Sequence, residues 1–411
     1  MKKKILIIAY YFPPLGEGGV QRIVKFLKYL NQDKYQFYVL APDVETKFVK
    51  DSSLADEIPR QVKIIRTPLI SLEQSVEFLM KYKLSFLIPF MYPDQFIGWL
   101  PFAVKKALKI IDEEKIETVF TTSSPITTFF IGLILKKKRQ IRWIADFRDP
   151  WSLNPLTYVY LGKIRKFLDK IIEKRTLPIC DYVIANTPTN KKNLCKYLGA
   201  DPQKVKVITN GFDNDDFVVD TKLKTQLDPS FFNIVYTGTF YFNYNAEVFL
   251  NAINDYLLKN PKIRIYFIGL SAQWAREYLQ RPTVDQSLRD QIICVDYVPH
   301  NLSITFLLAA TILLLVLPAG MSHWIPGKLY EYIRSGVPIF ALIPEEGDAA
   351  QIIRETNTGY IIDVHLAEVI ETRLDELYEN WLAGKLVISP DIENIMNYDR
   401  RILSDKLAKY L

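Results

Sequence analysis

Three short stretches of this chain combine charge with glycine or proline in ways that suit an anion. The densest is Pro326-Gly327-Lys328-Leu329-Tyr330-Glu331-Tyr332-Ile333-Arg334-Ser335-Gly336. Proline at the first helical position and glycine just past the last bracket a helix. Lys328 and Glu331, three apart, share a face near its start. A lysine beside the positive end of a helix suits a pyrophosphate. A carboxylate on that face suits the hydroxyls of a ribose diol, although a solvated Lys–Glu pair has the same spacing. The second stretch is Gly16-Glu17-Gly18-Gly19. Glycines there let backbone N–H groups approach a phosphate at a helix start. The pattern is neither G-x-G-x-x-G nor a P-loop, and a plain tight turn reads the same way. Arg22, one turn on, adds a cation to that site or is simply solvated. The third runs from Trp143 to Trp151 and sets Asp146, Arg148 and Asp149 at the end of an apolar segment. Two carboxylates around a guanidinium suit acid–base work or a buried ion-pair network.

Elements that position these residues follow from the hydrophobic pattern. The first half alternates strands with helices: Ile5 to Ala9, Phe37 to Ala41, Val62 to Arg66, Val119 to Thr122, Trp143 to Asp146 and Tyr182 to Ala185 read as strands. Val20, Ile23, Val24, Leu27 and Leu30 recur at helical spacing between the first two. The second half repeats the logic with strands at Ile234 to Thr237, Ile263 to Ile268, Ile292 to Val295, Ile312 to Leu317 and Ile339 to Leu342. Alternation of this kind predicts two α/β domains of the Rossmann-like type. In such sheets ligands bind outside the carboxyl ends of strands, where Asp146, Arg148 and Asp149 fall. Turn formers at Asn210-Gly211-Phe212-Asp213 put the boundary there. The expected division is 1–212, 213–390, and a last segment 391–411. Within that segment a helix from Ile392 to Leu411 crosses back to the first domain.

Composition narrows the classes. The chain of 411 residues is 49% hydrophobic and 24% charged, an ordinary globular balance with room for two cores. Three cysteines lack metal-type spacing and fit a reducing cytoplasm, and three scattered histidines make no metal motif. The N-terminal Lys2-Lys3-Lys4 and short apolar run read as a buried strand, not a signal peptide. The apolar stretch Ile304 to Ala319 reads as a helix end and a strand. Net charge is +6, but residues 1–212 carry 35 Lys and Arg against 20 Asp and Glu, and residues 213–411 carry 17 against 26. A basic first half favours anionic partners. The aromatic stretch Phe78 to Tyr92, with the basic segments Lys136 to Arg139 and Lys163 to Arg175, suits either a core with solvated lysines or peripheral contact with an anionic membrane surface. No nucleic-acid-binding signature is present, so no nucleic acid is expected as a partner.

The chain resembles the family 4 glycosyltransferases of the GT-B fold. The resemblance rests on Tyr11-Phe12-Pro13-Pro14 with Gly18-Gly19-Val20-Gln21-Arg22, on Asp146 to Trp151, on Ile208-Thr209-Asn210-Gly211-Phe212-Asp213, and on Pro326 to Pro338. These pieces span most of the chain in order. The resemblance implies an α/β fold of two Rossmann-like domains facing across a cleft. It implies a nucleotide-sugar donor, by family habit UDP-linked, held mainly by the second domain, and a glycan or lipid-linked acceptor held mainly by the first. Transfer with retention, no metal and no cofactor are implied as well. Glu331 corresponds to the second glutamate of Glu-x7-Glu, the ribose ligand, and Gly18 and Gly19 sit near the donor phosphates. Gly238 and Gly327 belong to the donor site on the same grounds.

The sequence departs from the family pattern. The first glutamate position holds His323. The arginine and lysine of the usual phosphate clamp fall on Thr239 and Tyr244, and a first-domain histidine on Arg148. Lys328, with Arg148 or Arg22, is expected to replace the clamp. The expected catalytic set is therefore Asp146, Arg148, Asp149 and Lys328. Gly18, Gly19, Arg22, Gly238, His323, Gly327, Lys328 and Glu331 are expected to bind the donor. The expected role is cytoplasmic synthesis of a surface polysaccharide, such as lipopolysaccharide or capsule, at the inner face of the plasma membrane. A silent scaffold of an assembly complex and a GT-B sugar-nucleotide epimerase are the competing readings.

Overall fold

A computed structural model of the chain describes residues 2–16, 18–43, 53–72, 92–154, 157–218, 225–240, 246–363 and 367–411. These form two compact units, Met1–Asn210 with Arg400–Leu411, and Gly211–Asp399. The residues 78–91 singled out above lie outside the described residues.

The first unit is built on seven strands: β1 (Lys3–Ile8), β2 (Tyr35–Pro42), β3 (Lys63–Thr67), β4 (Thr118–Thr122), β5 (Arg142–Phe147), β6 (Tyr182–Ala185) and β7 (Val205–Val207). All pair in parallel, in the order β3-β2-β1-β4-β5-β6-β7. Register sets Ile5 beside both Phe37 and Thr118. Helices cover both faces of such a sheet, so its strands are apolar without alternation. Ile5, Leu6, Ile7 and Ile8 are accordingly all buried. The second unit has six parallel strands: β8 (Phe232–Thr237), β9 (Ile263–Ile268), β10 (Ile292–Val295), β11 (Ile312–Val316), β12 (Ile339–Leu342) and β13 (Gly359–Ile362), ordered β10-β9-β8-β11-β12-β13. Both sheets reverse direction of build beside their first strand, between β1 and β4 and between β8 and β11. That is the switch point where doubly wound folds bind ligands.

Two edge strands, β7 and β13, are not predicted above. The first is only Val-Lys-Val and the second only Gly-Tyr-Ile-Ile, runs too short to stand out as strands. The predicted terminal helix from Ile392 is instead two helices, Ile392–Met396 and Arg400–Ala408. The break comes where the Tyr398 carbonyl accepts from Phe212 N at 3.1 Å and Asp399 bridges Phe212. Backbone committed to that pairing cannot continue a helix. The first helix belongs to the second unit, and the second packs on Gly18–Tyr29 of the first. There Leu403, Leu407 and Leu411 join the core with Ile23, Phe26 and Leu27. No helix among the described residues is long and apolar enough to cross a membrane.

Candidate functional site

In the second unit the switch point is occupied by Lys328. The helix Gly327–Ser335 starts after Pro326, which stands at the cap rather than at the first helical position, and Gly336 ends it at φ 73°. The helix is pinned to the sheet by the Tyr332 hydroxyl, which accepts from Thr237 N at 3.2 Å at the end of β8. Burial pushes that phenol up to about 12, so it stays neutral. Lys328, at the second helical position, turns its amine toward the same strand end. Nζ lies 3.7 Å from the Tyr236 ring centroid and makes no hydrogen bond among the described residues. The stem is part-exposed while Nζ is buried. Desolvation lowers this amine to about 7, against a smaller upward pull from Glu331. A cation over an aromatic face is only partly compensated. A buried ammonium normally has hydrogen-bonding partners, and this one has the Tyr236 ring instead.

Gly238 makes room for it. A Cβ there would stand 3.4 Å from Nζ, and φ is +92°, a conformation that favours glycine. Its N–H donates to Ile268 O at 2.8 Å and its carbonyl accepts from Ser271 N at 2.9 Å. Gly269, at φ +88°, packs against Gly238 and precedes the helix Leu270–Leu279. Glu331 does not pair with Lys328. Its Oε1 meets His300 Nε2 at 2.9 Å, and His300 Nδ1 lies 4.0 Å from Asp216 Oδ2. All three side chains are part-exposed. The histidine thus holds the carboxylate on the lysine's helix. His323 lies instead beside Asp348, on a loop whose Ser322 carbonyl accepts from Asp348 N at 2.7 Å. Burial lowers this imidazole, so it is neutral near pH 7.

In the first unit, the helix Gly18–Tyr29 follows β1 with no acidic residue in its first turn. The Arg148 guanidinium lies directly on Gly19, where a Cβ would come within 1.6 Å of Nη1. Asp149 Oδ2 accepts from Arg148 Nη2 at 3.1 Å, and Asp149 remains open to solvent. A helix N-terminus with a guanidinium laid on it is suited to an anion. Arg22 and Asp146 are a different case. Both are 0% exposed. Arg22 donates to both Asp146 oxygens at 3.0 and 2.8 Å, to the carbonyls of Ile208 and Thr209, and to Asn210 Oδ1. Those five bonds use all five guanidinium N–H groups. Thr122 Oγ1 adds a bond to Asp146 at 2.9 Å.

A cavity of about 340 Å³ in the first unit is lined by Asp94, Phe96, Trp151, Asn154, Arg165 and Asp169, among others. Trp151 Nε1 is buried there without a hydrogen-bond partner. Flat aromatic rings with a few carboxylates and amides form a usual lining for a polar organic ligand. Among the described residues no group of three or more His, Cys, Asp or Glu side chains could hold a metal ion.

Comparison with known proteins gives a consistent answer. The family model described as Glycosyltransferase Family 4 matches residues 17–216, and that for Glycosyl transferases group 1 matches residues 232–380. Sucrose-phosphate synthase from Thermosynechococcus elongatus superposes with a TM-score of 0.69 at 12% identity, covering 99% of this chain and 98% of its own. HepE from Anabaena, solved with UDP, gives 0.66 at 14%, covering 100% and 99%. A glycosyltransferase from Rickettsia africae gives 0.66 at 16%, covering 100% and 98%. No curated protein sequence matches the chain. The chain belongs to the GT-B glycosyltransferases.

Within this glycosyltransferase the residues expected from sequence fall into three groups, with His323 apart from them beside Asp348. Gly238, Gly327, Lys328 and Glu331 gather at the switch point of the second unit. Gly18, Gly19, Arg148 and Asp149 form the corner of the first. Arg22 and Asp146 correct the expectation that they meet a ligand. Enclosed and saturated, they hold the end of β5 to the segment 208–210. Sequence reasoning missed His300, Tyr236 and Gly269. A histidine directly after Pro299, at a helix start following β10, and a glycine after β9 were the available signals. It also missed the wall of the cavity, whose residues come from five separate segments.

Proposed function

We propose that this glycosyltransferase moves a sugar, with retention, from a UDP-linked donor to a glycan or lipid-linked acceptor. We read the product as part of a surface polysaccharide such as lipopolysaccharide or capsule, made peripherally at the inner face of the plasma membrane. The observation that carries the donor reading is the buried, unpartnered ammonium of Lys328 at the switch point. A diphosphate supplies the anion that this amine lacks, and the adjoining helix N-terminus adds N–H groups for the same oxygens. Glu331, held by His300, suits the ribose hydroxyls. UDP is favoured because HepE was solved with it.

In the reaction the acceptor hydroxyl bonds to the anomeric carbon while the bond from that carbon to the diphosphate oxygen breaks. The hydroxyl proton leaves with the diphosphate. Negative charge grows on the leaving group, so cations placed there lower the barrier. Lys328 supplies that charge in our reading, which needs neither metal nor cofactor; Arg148 over Gly19 offers a separate anion site within the first unit. The cavity lined by Trp151 and Asp94 suits the acceptor.

The test is a thermal-shift screen of UDP-, GDP- and ADP-linked sugars on the full chain, followed by turnover with the best donor. Lys328→Ala is expected to weaken the best donor roughly 10- to 100-fold, the worth of a hydrogen bond to a charged group. Unchanged affinity and turnover in Lys328→Ala would remove the lysine from the site. Inverted product stereochemistry by NMR would remove retention.

A further inference from the structure

The helix Thr157–Thr176 turns a row of charged residues inward. It is broken at Gly162, at φ 75° and ψ 172°, so its regular part begins at Lys163. From there Arg165, Asp169, Glu173 and Thr176 recur at helical spacing, and all four are buried. Arg165 Nε donates to Asp169 at 3.0 Å, and Asp169 also accepts from the Tyr158 hydroxyl at 2.6 Å. Glu173 Oε2 accepts from Ser152 N at 2.9 Å. The Arg165 guanidinium lies 4.4 Å from the Tyr92 ring centroid. A helix of a water-soluble protein normally turns apolar residues to this side.

The outward face is apolar. Ile164 is 80% exposed, Phe167 64% and Leu168 46%. They follow the i, i+3, i+4 spacing of a single stripe. Lys163, Lys166, Lys170, Lys174 and Arg175 are exposed around it. The segment's two acids, Asp169 and Glu173, are both inside, so this face is cationic and apolar with no anion.

We infer that this outward face docks the enzyme on an anionic lipid bilayer. Phe167, Ile164 and Leu168 enter the headgroup region while the lysines meet lipid phosphates, the pattern of an interfacial helix. The sign of the charge selects the occupant, since a neutral apolar partner would leave five cations uncompensated. The inference rests on the proposed lipid-linked acceptor and locates its entry. Arg165 and Asp169, on the opposite side of the same helix, line the cavity assigned to that acceptor. One helix therefore touches the bilayer with one face and the acceptor with the other.

Flotation of the full chain with phosphatidylcholine vesicles, with and without phosphatidylglycerol, tests this. The wild type is expected to float only with the anionic vesicles, and less at high salt. Ile164→Ser/Phe167→Ser/Leu168→Ser is expected to weaken binding at least about tenfold, and each Lys→Gln change about fivefold. The shift in melting temperature given by UDP should stay as in wild type, which shows that these exposed changes leave the fold intact. Equal flotation of the triple variant would overturn the docking face, as would a wild type that never floats. A wild-type dimer that the triple variant dissolves, seen by light scattering, would reassign the face to a second copy. Flotation without any UDP response would sink the donor reading and leave the docking face standing.

Discussion

At the scale of single residues, two buried cations of this enzyme do opposite things. Arg22 is saturated by Asp146 and three acceptors of the segment 208–210, and it stabilises the fold. Arg22→Met leaves Asp146 buried without its partner and is expected to cost about 3–5 kcal/mol, read by denaturant unfolding. The Lys328 amine is buried without a hydrogen-bond partner among the described residues and costs stability. Its amine sits at about 7 in the folded chain against a usual 10.5. The unfolded chain therefore holds more protons between those values, and stability should rise with pH across that window. Lys328→Met should melt above wild type at pH 7, with the gap closing toward pH 10. No gain at pH 7 would mean that the amine is compensated after all. The sequence placed Lys328 in the first turn of a helix, as the structure has it, because proline, glycine and helical spacing coincide there. It misplaced Arg22 because a buried and a solvated arginine look alike in one dimension; only the fold brings residues 22, 146 and 208–210 together.

At the scale of elements, the candidate site of each unit depends on a glycine that lets side chains and backbone approach. Gly19 carries the Arg148 guanidinium on its Cα, and Gly19→Ala would drive a methyl group into Nη1. The guanidinium can swing away, so the expected result is a modest loss of stability with a larger loss of turnover. Equal losses of both would mark the contact as packing alone. Gly238→Ala adds backbone strain of about 1–3 kcal/mol at φ +92° and crowds Lys328. Donor affinity should fall with stability in that variant. Strand existence was legible because buried parallel strands are continuous apolar runs. The two strands missed, β7 and β13, are short edges whose pairing comes from neighbours. The terminal segment was misread as one helix because its break is imposed by pairing with Phe212, far away in sequence.

At the scale of the whole molecule, two units repeat one architecture with different charge. The chain returns to its first unit at Arg400, so that unit's core depends on the last residues. Leu407→Ala should cost about 2–5 kcal/mol in the first unit while UDP affinity in the second stays unchanged. Weakened UDP binding would show that the donor site is not confined to the second unit. The central claim is that the lone ammonium of Lys328 holds the donor diphosphate. Calorimetric titration of UDP into wild type and Lys328→Met between pH 7.5 and 9.5 tests it most directly. Bound diphosphate holds the proton that the free amine loses above about 7. Wild-type affinity should therefore fall roughly tenfold per pH unit, about a hundredfold over the range, while the weaker binding of Lys328→Met stays flat. A wild-type affinity as flat as the variant's would contradict the claim.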